Sequence, residues 1–319
     1  MTQLRVLVTG ATGFTGPPVC RYLTDKGHQV IAATRQEQVP DGAASCRVVG
    51  EIDGATDWRQ ALADIDVVVH LAGRAHIMKD TADDPLAAFR QVNRDGTLQL
   101  AKQAAEAGVR RLVFLSSIKV NGEETEAGPY REAVLSPPDD PYGLSKWEAE
   151  EGLRDIAGST GLEVVILRPP LIYGPAVKAN FLSLLRLCRR GLPLPLGSVR
   201  NARSLLYVGN LADAVHQSMI HPKAANQTFL IRDGEDLSMP DLLHRISAAM
   251  GRRACLLPFP PAMLTCAAGL AGRGDMARRV TGSLCLDDGL IRQELDWQPP
   301  FTVEQGLQAT VDWFIASDL

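Results

Sequence analysis

The chain has 319 residues, a formal net charge of -4, and hydrophobic and charged fractions of 45% and 22%, ordinary for a folded soluble protein. That length suits one large α/β domain, or a core domain with a smaller appendage. The slight acidic excess gives no reason to expect nucleic acid or an anionic membrane as partner. Cys20, Cys46, Cys188, Cys255, Cys266 and Cys285 show no Cys-x-x-Cys spacing, which fits a reducing compartment better than a disulfide scaffold. The N-terminus runs straight into a predicted strand, leaving no room for a signal peptide, so a cytoplasmic protein is expected.

In chain order, Leu4-Arg-Val-Leu-Val8 reads as a buried strand ending in Thr9, then Gly10, Gly13 and Gly16. A helix from Val19 stops at Lys26-Gly27, with glycine at the expected C-cap. Strand, glycine turn and helix form a βαβ opening that lets backbone N–H groups approach a pyrophosphate. Further strands are expected at Val30–Thr34, Arg47–Gly50, Asp66–Gly73, Arg111–Ser116 and Glu163–Arg168. Pro85 to Gly108 and Tyr142 to Gly158 read as long crossover helices. This alternation argues for a doubly wound parallel α/β sheet of Rossmann type. Pro169-Pro170 ends it, dividing the chain into a cofactor domain, 1–168, and a smaller C-terminal substrate lobe, 169–319, with some segments returning to the core sheet. The apolar stretch from Ala262 to Ala271 is too short to span a bilayer; it reads as a packing helix and leaves a peripheral membrane contact open.

Tyr142-Gly-Leu-Ser-Lys146, 25 positions after Ser117, carries the chemistry. On a helix, Lys146 sits one turn beyond Tyr142 on the same face. A phenol with an ordinary pKa near 10 is a poor acid or base at neutral pH, and a nearby ammonium lowers it. A shift of about three units needs roughly 4 kcal/mol. Such a pair, helped by the Ser117 hydroxyl, suits interconversion of C–OH and C=O while hydride moves to or from a nicotinamide.

With His70-Leu-Ala-Gly73, Asn93, Ser116-Ser117 and Arg168-Pro169, the ordered set resembles the extended short-chain dehydrogenase/reductases, and more narrowly their nucleotide-sugar epimerase/dehydratase branch. The resemblance implies a cofactor site at Gly10, Thr12, Gly13, Phe14, Thr15, Gly16, Leu71, Ala72, Gly73 and Pro169, with Asp53 near adenine. It implies that Ser117 and Tyr142 hydrogen-bond the reacting sugar oxygen while Lys146 also binds the nicotinamide ribose. On the substrate side it points to Asn180, beside Phe181, and to Arg203 and Arg279, with Arg278 open as the alternative to Arg279. Arginine suits a diphosphate because its planar fork pairs with phosphate oxygens. Lys119 and Asn121 either face the sugar or shape their loop. Asn93 is expected to order the core helix. His70 and His76 have no carboxylate or Cys at metal-like spacing, so no metal is expected. The two long helices would pair with a second copy in a homodimer.

Three positions bear on the reaction. After the second strand comes Thr34-Arg35, with no carboxylate before Glu37, which favours NADP(H) over NAD. Ser117-Ile118-Lys119 lacks the acid pair that water elimination needs, which argues against a dehydratase. Asn121-Gly122 stands where epimerases of this branch carry Tyr-Gly, as in enzymes of bacterial surface-polysaccharide pathways. The sequence reading is therefore NADPH-dependent reduction of a UDP-4-keto-6-deoxy-N-acetylhexosamine. The alternatives are a UDP-hexose or UDP-N-acetylhexosamine 4-epimerase holding NAD, and a non-catalytic NADP-sensing regulator.

Overall fold

The computed structural model describes residues 3–74, 84–270 and 274–318. Seven strands form one parallel sheet in the order β3-β2-β1-β4-β5-β6-β9. They are β1 Arg5–Thr9, β2 Gln29–Thr34, β3 Ser45–Val48, β4 Val67–His70, β5 Arg111–Leu115, β6 Glu163–Arg168 and β9 Thr228–Leu230. β9 arrives from the C-terminal half and pairs with β6. β3 begins and ends two residues before its predicted span, and β4 covers four of the eight residues predicted for it, ending at His70. Residues 71–73 are apolar enough to read as strand, yet they turn away to line the cleft.

Side-chain alternation explains why these strands look uniformly hydrophobic. Val6 and Val8 point to one face of the sheet and Leu7 to the other. The first face is covered by α1 Gly16–Asp25, α6 Val208–Ile220 and α10 Gly289–Leu295. The second is covered by α3 Thr97–Glu106 and α4 Pro141–Ser159. Both faces are buried, so both sets of alternate residues are mainly apolar, with Thr9, His70, Arg111 and Arg168 confined to strand ends.

α3 is preceded without a break by α2 Pro85–Arg90 and a π-helical turn, Gln91–Gly96. The expected single helix therefore contains one wide turn, with Asn93 buried in it. Asp140 caps α4 by accepting from Gly143 N–H at 2.8 Å, and Pro141 occupies a first-turn position where its missing donor costs nothing. Here the observed start lies one residue before the predicted one.

The remaining chain builds a second core. It holds a three-stranded sheet, β10-β8-β7, of β7 Leu171–Tyr173, β8 Arg203–Tyr207 and β10 Asp236–Leu237. α5 Ala179–Arg190, α7 Met239–Ala249 and α11 Val303–Ala316 pack on it around Phe181, Leu243 and Phe314. α8 Pro261–Leu270 and α9 Gly274–Thr281 follow α7. Among the described residues, no helix is long and apolar enough to cross a membrane.

Candidate active site

The glycine loop follows β1 and is shaped by close approach. Gly10 has φ +67, and a Cβ there would sit 2.7 Å from the Ala72 nitrogen at the end of β4. A Cβ at Gly16 would lie 2.4 Å from the Gly10 carbonyl oxygen. Both positions exclude any larger residue. Thr12 and Gly13 are exposed, while Phe14 packs against the second core and so ties the loop to the C-terminal half. Pro17 and Pro18 open α1 after Thr15. They lack N–H groups, so the donors available to an anion are those of the loop itself, assisted by the helix dipole. This cradle, kept open by absent side chains, fits a dinucleotide pyrophosphate.

Leu71, Ala72 and Gly73 continue from β4 beside it. Thr9 Oγ1 accepts from Ala72 N–H at 3.2 Å and is 2.7 Å from His70 Nδ1. His70 Nε2 lies 2.9 Å from Thr97 Oγ1, so both ring nitrogens are occupied within the fold. Burial holds His70 down at about 3, helped by the Lys146 charge, and the ring is neutral. His76 lies outside the described residues. At the far end of the sheet, Arg35 forms a 3.3 Å ion pair with Glu51, both well exposed. Asp53 accepts from Ala55 N–H at 2.8 Å and closes a turn against the π-helical segment.

Ser117 follows β5 and Tyr142 stands in the first turn of α4, where the Ser117 side chain acts on the phenol. Phe89 meets the Tyr142 ring edge-on at 5.8 Å. Lys146 is buried one turn along, donates to the Leu115 carbonyl at 3.0 Å and lies 4.5 Å over the Phe114 ring. A Cβ on Gly73 would lie 3.1 Å from Lys146 Nζ, so glycine there opens the cofactor side of the lysine. Ser117, Tyr142 and Lys146 thus gather at the C-terminal ends of β4 and β5, beside the glycine loop.

The electrostatics depart from the sequence expectation. Tyr142 is pushed up to about 12, by burial first and by Asp140 as well, with the Ser117 hydrogen bond acting in the opposite direction. Lys146 is lowered to about 8 by burial, partly offset by Glu150. The ammonium donates to the Leu115 carbonyl, and burial decides the direction of both shifts.

A buried network that sequence reasoning missed backs this triad. Glu150, fully buried on α4, accepts from Ser116 Oγ at 2.5 Å and from Arg168 Nε at 2.9 Å. Arg168 also donates to Asn121 Oδ1 at 3.0 Å and to the Glu132 carbonyl at 2.8 Å. The signal was present in the sequence: Tyr142, Lys146 and Glu150 are spaced by four, on one helical face. Asn93 Nδ2 donates to Ser145 Oγ at 3.0 Å, and its Oδ1 accepts from Arg74 N–H at 2.8 Å. It links the loop after β4 to α4, in line with the ordering role expected of it. Pro169 accepts from Ile118 N–H at 2.9 Å and so pins the segment after Ser117.

The substrate-side residues are less closely gathered. Lys119 Nζ is 2.5 Å from Glu123 and 3.3 Å from Asp140, and Asn121 Nδ2 donates to the Arg131 carbonyl at 2.7 Å. Both side chains have partners that shape the loop. Asn180 is exposed in the first turn of α5, whereas Phe181 is buried and stacked on Tyr173 at 5.2 Å. Only Asn180 of that pair is open to a ligand. Arg203 is partly buried and donates to the Gly282 carbonyl at 3.0 Å, just past the end of α9 where Arg279 is exposed.

A parallel sheet with a glycine cradle at its carboxyl edge, beside a Ser-Tyr-Lys set, defines a dinucleotide-dependent oxidoreductase fold. Residues 6–231 match the model of the NAD dependent epimerase/dehydratase family, and the chain belongs to that family. It is 41% identical over 315 residues to a UDP-glucose 4-epimerase of Vibrio cholerae, covering 98% of this chain and 96% of that one. It is 28% identical to the N-acetyl-alpha-D-glucosaminyl-diphospho-ditrans,octacis-undecaprenol 4-epimerase of Escherichia coli O157:H7, over 81% of this chain and 77% of the relative. The structure of MoeE5 in complex with UDP-glucose and NAD superposes with a TM-score of 0.77 at 25% identity, covering 99% of this chain and 100% of that one.

Proposed function

We propose that this protein is a UDP-sugar 4-epimerase acting on a UDP-hexose or UDP-N-acetylhexosamine, with NAD as a retained cofactor. The observation that carries the reading is the Ser117, Tyr142 and Lys146 set in a chain 41% identical to a UDP-glucose 4-epimerase along nearly its whole length. This replaces net 4-keto reduction, the reading first drawn from the sequence, as the better supported reaction. The E. coli relative, an epimerase of a lipid-linked N-acetylglucosamine, favours the same reaction on a surface-polysaccharide precursor.

When bound, the nicotinamide supplies the acceptor that takes hydride from the sugar C4 and returns it. Tyr142 receives the proton of the 4-hydroxyl as the C–O bond becomes a carbonyl, and gives it back when the carbonyl is reduced on its other face. Ser117 holds that oxygen by a hydrogen bond. Lys146, still largely protonated at neutral pH, supplies positive charge behind the phenol and a donor for the ribose. Gly10, Thr12, Gly13, Phe14, Thr15 and Gly16 would hold the cofactor diphosphate, with Asp53 beside its adenine. Arg203, Arg279 and Asn180 would meet the sugar nucleotide.

NAD is favoured because Glu51 stands against Arg35 and gives a ribose hydroxyl the carboxylate acceptor that β2 itself lacks. We read residues 1–168 as the cofactor-binding part and 169–319 as mainly the sugar-nucleotide lobe. We also read the protein as a cytoplasmic homodimer pairing through α3 and α4, which size-exclusion chromatography with light scattering would measure. The test of function is interconversion of UDP-glucose with UDP-galactose, and of their N-acetylated counterparts, without added cofactor. Interconversion with NAD released on denaturation is expected. NADPH consumption with a UDP-4-keto-6-deoxy-N-acetylhexosamine, and no interconversion, would restore the reductase reading.

A further inference from the structure

Two segments of the C-terminal half have a charge distribution that the net value hides. Residues 171–203 carry Lys178, Arg186, Arg189, Arg190, Arg200 and Arg203 and no carboxylate. Residues 251–284 add Arg252, Arg253, Arg273, Arg278 and Arg279 against the single Asp275, in a chain whose net charge is -4. The fold sews these two segments together. Leu194 N–H donates to the Cys255 carbonyl at 2.9 Å, and Leu257 N–H to the Leu194 carbonyl at 2.8 Å. The Arg252 guanidinium donates to the Arg189 carbonyl at the end of α5. Arg189, Arg190, Arg252 and Arg253 are all exposed along this seam.

Large apolar side chains stand in water on the same seam. Leu192 is 56% exposed, Leu257 50% and Met263 56%. Exposed Pro193, Pro195, Pro258 and Pro260 flank them and stiffen the loops that hold them out. α8, which begins at Pro261, contains no charged residue, and Ala262 and Cys266 extend the apolar surface along it. Apolar tips flanked by arginines, in two segments that carry a single acid between them, match the two layers of a phospholipid surface: an acyl boundary beneath a sheet of phosphates. Guanidinium forks pair with phosphate oxygens in a way that suits such a surface. Attraction of a soluble sugar nucleotide would account for Arg203 and its neighbours, but it would give no reason for Leu192, Leu257 and Met263 to be exposed.

We propose that this face docks the protein peripherally on an anionic phospholipid bilayer. The inference does not depend on which reaction the enzyme performs. Net charge alone gives no hint of this face, because the remainder of the chain is acidic enough to mask it.

The test is co-sedimentation of the full chain with vesicles of phosphatidylcholine containing phosphatidylglycerol, against phosphatidylcholine alone. Binding to the anionic vesicles only, weakened by salt, is expected. Arg190→Gln and Arg253→Gln should each lower the partition coefficient about fivefold. Leu257→Ser should lower it about tenfold, as for a half-buried leucine. Turnover of the soluble UDP-sugar and the thermal midpoint should be unchanged in all three variants. Failure of the wild-type protein to pellet with anionic vesicles would overturn the proposal. So would binding indifferent to Leu257→Ser and matched by polyglutamate, which would reassign the face to an acidic polypeptide.

Discussion

At Tyr142 and Lys146 the same burial acts on two groups in opposite directions. It pushes the phenol up to about 12 and the ammonium down to about 8, because each is disfavoured in its charged form. The phenolate is therefore a minor species at neutral pH, and kcat/KM should rise with pH through the neutral range; a fall would contradict the assignment of Tyr142 as base. Tyr142→Phe should cost about two to four orders of magnitude in turnover while leaving NAD affinity nearly intact, as read by fluorescence titration. Lys146 makes a second prediction. Its folded pKa lies below its ordinary value, so the folded state binds fewer protons between about 8 and 10.5, and stability rises with pH there. Below that window the buried ammonium destabilises the fold by about 3 kcal/mol. Lys146→Met should raise the thermal midpoint at neutral pH, lose that advantage at high pH, and abolish activity; an unchanged midpoint at neutral pH would argue against a buried charge.

At the scale of elements, the triad is held by joints that its motif does not mention. The π turn at Gln91–Gly96 widens the helix so that Asn93 reaches both Ser145 and the backbone of Arg74. Glu150 and Arg168 lock α4 to the end of β6 and to the loop through Asn121. Removing one member of so buried a pair strands the other, at a cost of about 3 to 5 kcal/mol. Arg168→Met should therefore lose that much in denaturant unfolding, and adding Glu150→Gln should restore part of it. If the double variant is as unstable as the sum of the singles, the pair is not coupled. The first six strands, the glycine loop and α4 were legible in the sequence, because apolar runs, glycine spacing and helix-starting residues are local signals. The π turn was not, since weak helix formers such as Asn93, Asp95 and Gly96 do not distinguish a wide turn from an ordinary one, and this turn answers to packing against α4. The partners of Lys119 and Asn121 were equally hidden, since they come from loop residues brought near only by the fold.

For the whole molecule, buried neutral histidines set the acid limit. Burial lowers His70 to about 3, with Lys146 adding to it, and lowers His216 to about 4, with the neighbouring His28 adding to it. Both bind protons more readily when unfolded, so their contribution is full above about 6.5 and is lost as pH falls below it. Acid unfolding should take up protons on these rings, and His70→Gln should flatten the dependence of the thermal midpoint between about 6.5 and 4. Family and chemistry were readable from Tyr142, Lys146 and the glycines, since their spacing is fixed by the cofactor. The reaction was not, because Arg35 was read alone, and its partner Glu51 comes from the loop beyond β3.

The central claim is that hydride leaves the sugar C4 and returns to the same carbon. The direct measurement is to incubate the protein with UDP-glucose deuterated at C4 and examine the products by mass spectrometry and NMR. UDP-galactose that keeps deuterium at C4, with no net change in nicotinamide absorbance, is the predicted result. Epimer in which the label has been lost to solvent, or no epimer from folded protein with its cofactor bound, would contradict it.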